Sequence, residues 1–237
     1  MFLEPYYHTA DGKIHFTRQQ GSDFAKNIAD DFNPLHDADA KRFCIPGDLL
    51  FSLIVMTMGL NQRMAFEFTG MVTADVALQI PDNNSDHFSL IGDNEKTYLS
   101  VQRSGERTMD PRIIEGISRR YVEFSGHTFP HILVPLMAEK NVMINPDRPL
   151  VIYQDMSIDL STCDIVNPSL SITKTTLETT GKRGNACLQF CFKSADKIVG
   201  EGEKNMVLTG LKPYDAAKVA DMIQRYDARK ASVKSAT

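Results

Sequence analysis

Pro46-Gly47-Asp48-Leu49-Leu50-Phe51-Ser52-Leu53-Ile54-Val55-Met56-Thr57-Met58 is the stretch that decides the fold. It is apolar at nearly every helical angle. A helix built from it has no face suited to water and must be buried on all sides. Pro-Gly-Asp opens it, with the acid placed at the positive end of the helix dipole. Gly59 supplies a stop. The run is about half of what a bilayer crossing needs, so it is a core helix and not a membrane span.

Toward the C-terminus the pattern changes period. Ala65–Phe68, Thr73–Ile80, His87–Ile91 and Tyr98–Arg103 read as strands, separated by Gly, Pro, Asn and Asp clusters. A buried helix followed by an antiparallel sheet that wraps it is an α+β solution. Toward the N-terminus, Thr17 with Gln20 three residues on forms a capping-box pattern. Phe24, Ala25, Ile28 and Ala29 then recur at helical spacing. This helix should end near Asp30, because Asn33-Pro34 disfavours helix. Asp37 can cap a short helix through Ala38, Ala40 and Phe43.

The second half repeats the order. Asp110-Pro111 reads as a cap with Pro at the first helical position, followed by Ile113, Ile114, Ile117, Tyr121 and Val122 at helical spacing. A Pro-containing loop, Phe124 to His131, leads to a second apolar helix, Ile132 to Met137. Strands are expected at 150–153, 157–160, 169–179, 185–193 and 197–208. An amphipathic helix from Tyr214 to Lys230 places Ala217, Val219, Met222, Ile223 and Tyr226 on its apolar side. Two units follow from this repeated order, residues 1–107 and 108–237. The helices from Gly47 and from Ile132 should be related by a pseudo-twofold axis. The two strand blocks should join in one sheet.

Bulk properties exclude several classes. The 237 residues are 42% hydrophobic and 24% charged, enough for a core without staples. Net charge is -4 and the basic residues are dispersed, so nucleic acid is not an expected partner. The four cysteines include no C-x-x-C pair. Cys187 and Cys191 share a strand face too far apart to bond each other, so they read as small buried hydrophobes. Reduced thiols, and an N-terminal segment without the charge and apolar pattern of a signal peptide, point to the cytoplasm. Asn83-Asn84-Ser85 has glycosylation spacing by letters alone.

The chemically loaded segment is Asp31-Phe32-Asn33-Pro34-Leu35-His36. It sets a carboxylate and an imidazole five residues apart on a Pro-locked loop. Such a loop can bring both side chains onto one water, the usual equipment for general acid–base work. The same letters also make a good turn. Residues 16–60 resemble the start of MaoC-like (R)-specific enoyl-CoA hydratases, which carry Ser-Gly-Asp-x-Asn-Pro-x-His followed by His-Gly-Met-Leu-Leu at the buried helix. The whole chain is most similar to a bacterial family within that hotdog-fold superfamily.

The resemblance implies a tandem hotdog fold. It gives Asp31 and His36 the catalytic positions and Asn33 a supporting one. The backbone N–H of Gly47 becomes the oxyanion donor, and Ser52 matches a polar active-site residue. It implies hydration of a 2-enoyl thioester to the (R)-3-hydroxyacyl form, with no cofactor and no metal. The partner would be an acyl-CoA or acyl-carrier-protein thioester, and the assembly a monomer or a homodimer of pseudodimers. This sequence departs from the family pattern with Pro46 in place of His, a short segment between His36 and Gly47, and Asp48. The rival reading is a non-catalytic acyl-thioester-binding or regulatory protein. In the second half, Ser125-Gly126-His127-Thr128-Phe129-Pro130-His131-Ile132 aligns as a decayed copy that would supply walls. The rival reading makes His127 and His131 a site of their own, since four apart suits a metal, but no matched carboxylate or Cys ligand spacing accompanies them.

Overall fold

The computed structural model describes residues 2–81 and 85–235, so the Asn83-Asn84-Ser85 triplet starts outside the described residues. Five α-helices occur among them: α1 (Arg18–Asn27), α2 (Gly47–Met58), α3 (Pro111–Gly126), α4 (Leu133–Glu139) and α5 (Ala216–Lys234). The strands are β1 (His8–Ala10), β2 (Lys13–His15), β3 (Leu60–Phe68), β4 (Leu78–Gln79), β5 (His87–Gly92), β6 (Thr97–Thr108), β7 (Val142–Met143), β8 (Val151–Leu160), β9 (Ser169–Thr180), β10 (Arg183–Ser194), β11 (Lys197–Thr209) and β12 (Lys212–Pro213).

Ten strands form one antiparallel sheet in the order β1-β2-β4-β5-β6-β3-β8-β11-β10-β9. The two halves of the chain meet where β3 pairs with β8, from Arg63 opposite Asp159 to Glu67 opposite Asp155. Outward from that seam one side runs β3, β6, β5, β4 and the other β8, β11, β10, β9. Each side thus takes the first strand of its block, then the last, the third and the second. The expected single sheet is present, and its connectivity repeats.

The sheet wraps a pair of helices. Every residue of α2 from Asp48 to Val55 is buried, as its unbroken apolar run requires. The helix lying against it is α3. Ser125 meets Asp48 and Ser118 meets Ser52, so the two helices run antiparallel. Their core includes Leu49, Leu53, Ile117 and Tyr121 with Phe66, Met156 and Phe190 from both sides of the seam.

This corrects the expectation that the helix after His131 is the mate of α2. That helix, α4, has only seven residues, and Asn141 ends its last turn at φ 53°. It packs in a second cluster, where Leu133, Leu136 and Met137 meet Leu188, Met206 and Val219. The helix α3, with sixteen residues and a stripe from Ile113 to Val122, has the length and the face that the position beside α2 demands. Three other expectations shift. The 38–43 segment stays in turns, the 73–80 strand shrinks to β4, and the 150–153 and 157–160 strands merge into β8.

Candidate active site

The loop after α1 is built by side chains that replace helix hydrogen bonds. The capping box at Thr17 forms as its sequence dictates: the Gln20 N–H donates to Thr17 Oγ1 at 3.0 Å and the Thr17 N–H to Gln20 Oε1 at 2.9 Å. Past the helix, Asp30 reverses the chain at φ 52°. Asp31 Oδ1 then accepts from the Asn33 N–H at 2.8 Å, and Asn33 Oδ1 from the Leu35 N–H at 3.1 Å. Two nested Asx turns therefore hold Pro34–His36 as a short 3-10 turn. Turn chemistry and a catalytic arrangement are not rivals here, because the turn is what aims the two side chains.

His36 Nδ1 lies 2.8 Å from the Cys44 carbonyl, which fixes the proton there and directs Nε2 toward Asp31 Oδ2 at 3.7 Å. Burial opposes a charged imidazole, but the Cys44 sulfur, the Asp31 carboxylate and the Cys44 carbonyl hold the His36 pKa up at about 9. At neutral pH the His36 ring therefore keeps both of its protons where it faces the Asp31 side chain. Both line a cavity of about 560 Å³ with Asn33, Pro46 and Gly47.

Gly47 starts α2 at the wall of that cavity. No side chain caps the helix, and Pro46 precedes it. Leu49 and Leu50 donate their N–H groups to the Pro46 carbonyl, so the N–H groups of Gly47 and Asp48, two residues of the cavity lining, are the ones at the positive end of the dipole that a ligand carbonyl could take. A Cβ on Gly47 would stand 2.9 Å from the Tyr153 ring and 3.1 Å from Phe68. Those rings pack on each other, tilted, with centroids 4.3 Å apart, so the position takes glycine for space. Ser52 is not brought to this group. It is fully buried on the α3 side of α2, donating to the Asp48 carbonyl at 2.8 Å and accepting from Ser118 at 2.8 Å.

The structure adds Lys204 and Tyr153, which the sequence reading did not single out, and joins them to Asp48 and Ser125. Asp48 Oδ2 accepts from Ser125 Oγ at 2.5 Å, and Lys204 Nζ also bonds Ser125 Oγ. The Lys204 ammonium sits 4.4 Å over the Tyr153 ring, and the Tyr153 hydroxyl bonds that of Tyr121. Asp48, Ser125 and Lys204 are 7%, 4% and 4% exposed, yet all three line the cavity. Burial pushes the Asp48 carboxyl up and the Lys204 amine down, each opposed by the other's charge. Burial also lifts both tyrosines well above their ordinary range, so their hydroxyls stay neutral. One signal was available in the sequence. Met206 and Leu208 point inward from β11, so period two puts Lys204 on the same face.

The second loop forms the opposite wall of the same cavity, through Gly126, Thr128 and Phe129. A Cβ on Gly126 would lie 1.8 Å from the Ala29 carbonyl oxygen, so the two loops touch backbone to backbone. His127 Nε2 bonds Asp30 Oδ2 at 2.8 Å. Helix α5 closes over both loops: Lys230 and Lys234 pair with Asp30, Arg229 with Asp37, and Tyr226 stands edge-on to Phe32. Burial disfavours a charged Asp30, but Lys230, His127 and Lys234 outweigh it and bring its pKa to about 2. His131 is exposed, its ring 6.2 Å from that of His127. Among the described residues no three His, Cys, Asp or Glu side chains gather as a metal-binding group. No described helix is long and apolar enough to cross a membrane.

A family model described as "Protein of unknown function (DUF3581)" matches residues 1–217. No curated protein matches the sequence. Among solved structures, a MaoC-like dehydratase is 8% identical, covering 86% of this chain and 98% of its own, with a TM-score of 0.44. A tesB protein of Mycobacterium avium subs paratuberculosis is 9% identical over 70% of this chain and 87% of its own, with a TM-score of 0.42. The acyl-CoA thioesterase II TesB2 of Mycobacterium marinum is 9% identical over 72% and 90%, with a TM-score of 0.39.

Proposed function

The chain belongs to the DUF3581 family, and we propose that its cavity binds an acyl thioester and moves water on and off the 2,3-bond. The observation that carries this is the meeting of three groups at one cavity: the Asp31 carboxylate, the His36 imidazolium 3.7 Å from it, and the start of α2 at Gly47. A base, an acid and an oxyanion donor are the set that such an addition needs. The structural premise is a tandem hotdog of residues 1–107 and 108–237, supported by the strand order that repeats on each side of the seam.

In this reading the thioester carbonyl accepts from the N–H groups at Gly47, which stabilises the enolate that forms on water addition. Asp31 Oδ2 takes a proton from the water as its oxygen bonds C3. His36 Nε2 gives its proton to C2. The proton on Asp31 Oδ2 then passes to His36 Nε2, which restores the pair, so the sum is water added across the double bond and the reverse is dehydration of a 3-hydroxyacyl thioester. Asn33 acts by fixing Asp31 and Leu35 in the turn. No step calls for a cofactor or a metal. Ser52 takes no part, because it lies between α2 and α3.

The test is incubation of the purified protein with trans-2-enoyl-CoA of several chain lengths, followed by chiral analysis. The expected product is the (R)-3-hydroxyacyl thioester. Tight binding of these thioesters without turnover would replace the hydratase by an acyl-thioester-binding protein.

A further inference from the structure

The ten-stranded sheet ends in two unlike edges. One is β1, three residues long. The other is β9, twelve residues long, with no strand beyond it among the described residues. A free edge presents a row of backbone N–H and C=O groups ready to pair with another chain, and proteins blunt such edges with short strands, proline, bulges or charge. The first edge is blunted by its length. The second reads Ser-Leu-Ser-Ile-Thr-Lys-Thr-Thr-Leu-Glu-Thr-Thr, without proline and rich in β-branched threonine. Its one bulge leaves Thr173 out of the pairing with β10, since Lys174 stands opposite Gln189 and Ile172 opposite Phe190. From Lys174 to Thr180 the pairing is regular. Leu177 is buried, so Lys174, Thr176 and Glu178 lie on the outer face of the sheet. Lys174 and Glu178 are exposed, and neither joins an ion pair among the described residues.

We propose that β9 pairs antiparallel with β9 of a second copy of this chain, about a twofold axis at Thr176. Two constraints select this register. Side chains alternate with period two and each face must meet its own kind, so the axis has to pass through a residue. Centred on Lys174 or on Glu178, the pairing would set like charges on the axis. Centred on Thr175 or Leu177, it would leave both charges opposite uncharged residues. Centred on Thr176, it sets Lys174 of each copy opposite Glu178 of the other, twice by symmetry, with Thr176 facing itself and Thr175 facing Leu177. Such a contact is isologous and closes, and the opposite edge of the sheet is too short to extend it, so the assembly stops at two copies. No residue of β9 lines the cavity, so the surface stands apart from the acyl-thioester reading.

The experiment is sedimentation equilibrium of the whole protein from about 1 μM to about 1 mM, the range in which weak complexes form. The wild type is expected to form a reversible dimer. Lys174→Glu and Glu178→Lys each turn two attractive pairs into repulsive ones, and each is expected to raise the dimer dissociation constant by about tenfold or more. The double variant Lys174→Glu/Glu178→Lys returns opposite signs to the same places and is expected to dimerise within about threefold of the wild type. A wild type that stays monomeric throughout overturns the proposal. A dimer that neither single variant weakens lies on another surface and overturns it too. Single variants that weaken the dimer without recovery in the double variant show that Lys174 and Glu178 do not face each other, which overturns the register and the interface built on it.

Discussion

At the scale of single residues, His36 makes a pH signature. Its pKa is about 9 in the folded chain against an ordinary value near 6.5. A group raised on folding binds its proton more tightly in the native state. Its contribution is fully present below about pH 6.5 and is lost as pH rises through about 9. The full size of that contribution is on the order of 3 kcal/mol. Urea midpoints at pH 6.5 and pH 9.5 should therefore fall for the wild type by more than for His36→Gln. Parallel curves for the two proteins would refute the assignment. Asp31 and His36 were legible as a pair because Asn33-Pro34 announces the turn that aims them. Asp48 was legible only as helix-dipole chemistry. Its burial against Ser125 and Lys204 depends on α3 and β11, which lie far away in sequence. Ser52 was matched by its spacing from Gly47, but the side of α2 that it takes is set by the neighbour it packs on, and that neighbour is α3.

At the scale of elements, the cavity depends on two contacts that hold its loops. The first is the approach of α3 to the end of α1, where Gly126 leaves no room for a side chain beside the Ala29 carbonyl. Gly126→Ala should drive the two backbones apart and destabilise the fold by about 3 kcal/mol or more, an overpacking cost at its upper end because backbone must move. Denaturant unfolding measures it, and a loss under about 0.5 kcal/mol, the ordinary surface range, would contradict the contact. The second is α5, whose Lys230 and Lys234 pair with Asp30. Ending the chain at residue 215 should raise amide exchange across 30–36 more than across α2. The helices α1, α2, α3 and α5 were legible from caps and stripes. The pairing of α2 with α3 was not, because an apolar run in α4 looked like the better mate. Length decided it: seven residues cannot cover a twelve-residue partner.

At the scale of the whole molecule, one sheet and one helix pair join the two halves. The main core draws on both sides of the seam, with Phe66 and Phe190 on the same aromatic cluster around Phe51 and Tyr121. Residues 1–107 and 108–237 expressed separately should each lack a cooperative transition, and mixing should restore one; independent folding of either half would show that the shared core is not essential. The repeat in the strands is not matched by a repeat in chemistry. His127, Phe129 and Ile132 stand where the first loop has Asp31, Asn33 and His36, so each chain should carry one working site. The most direct test is the kinetics of trans-2-enoyl-CoA hydration by the wild type and by Asp31→Asn, which keeps the shape of the side chain but cannot take a proton. The account predicts a fall in kcat of about 10²–10⁴-fold with little change in KM where chemistry is slow, and equal turnover by the two proteins would contradict it.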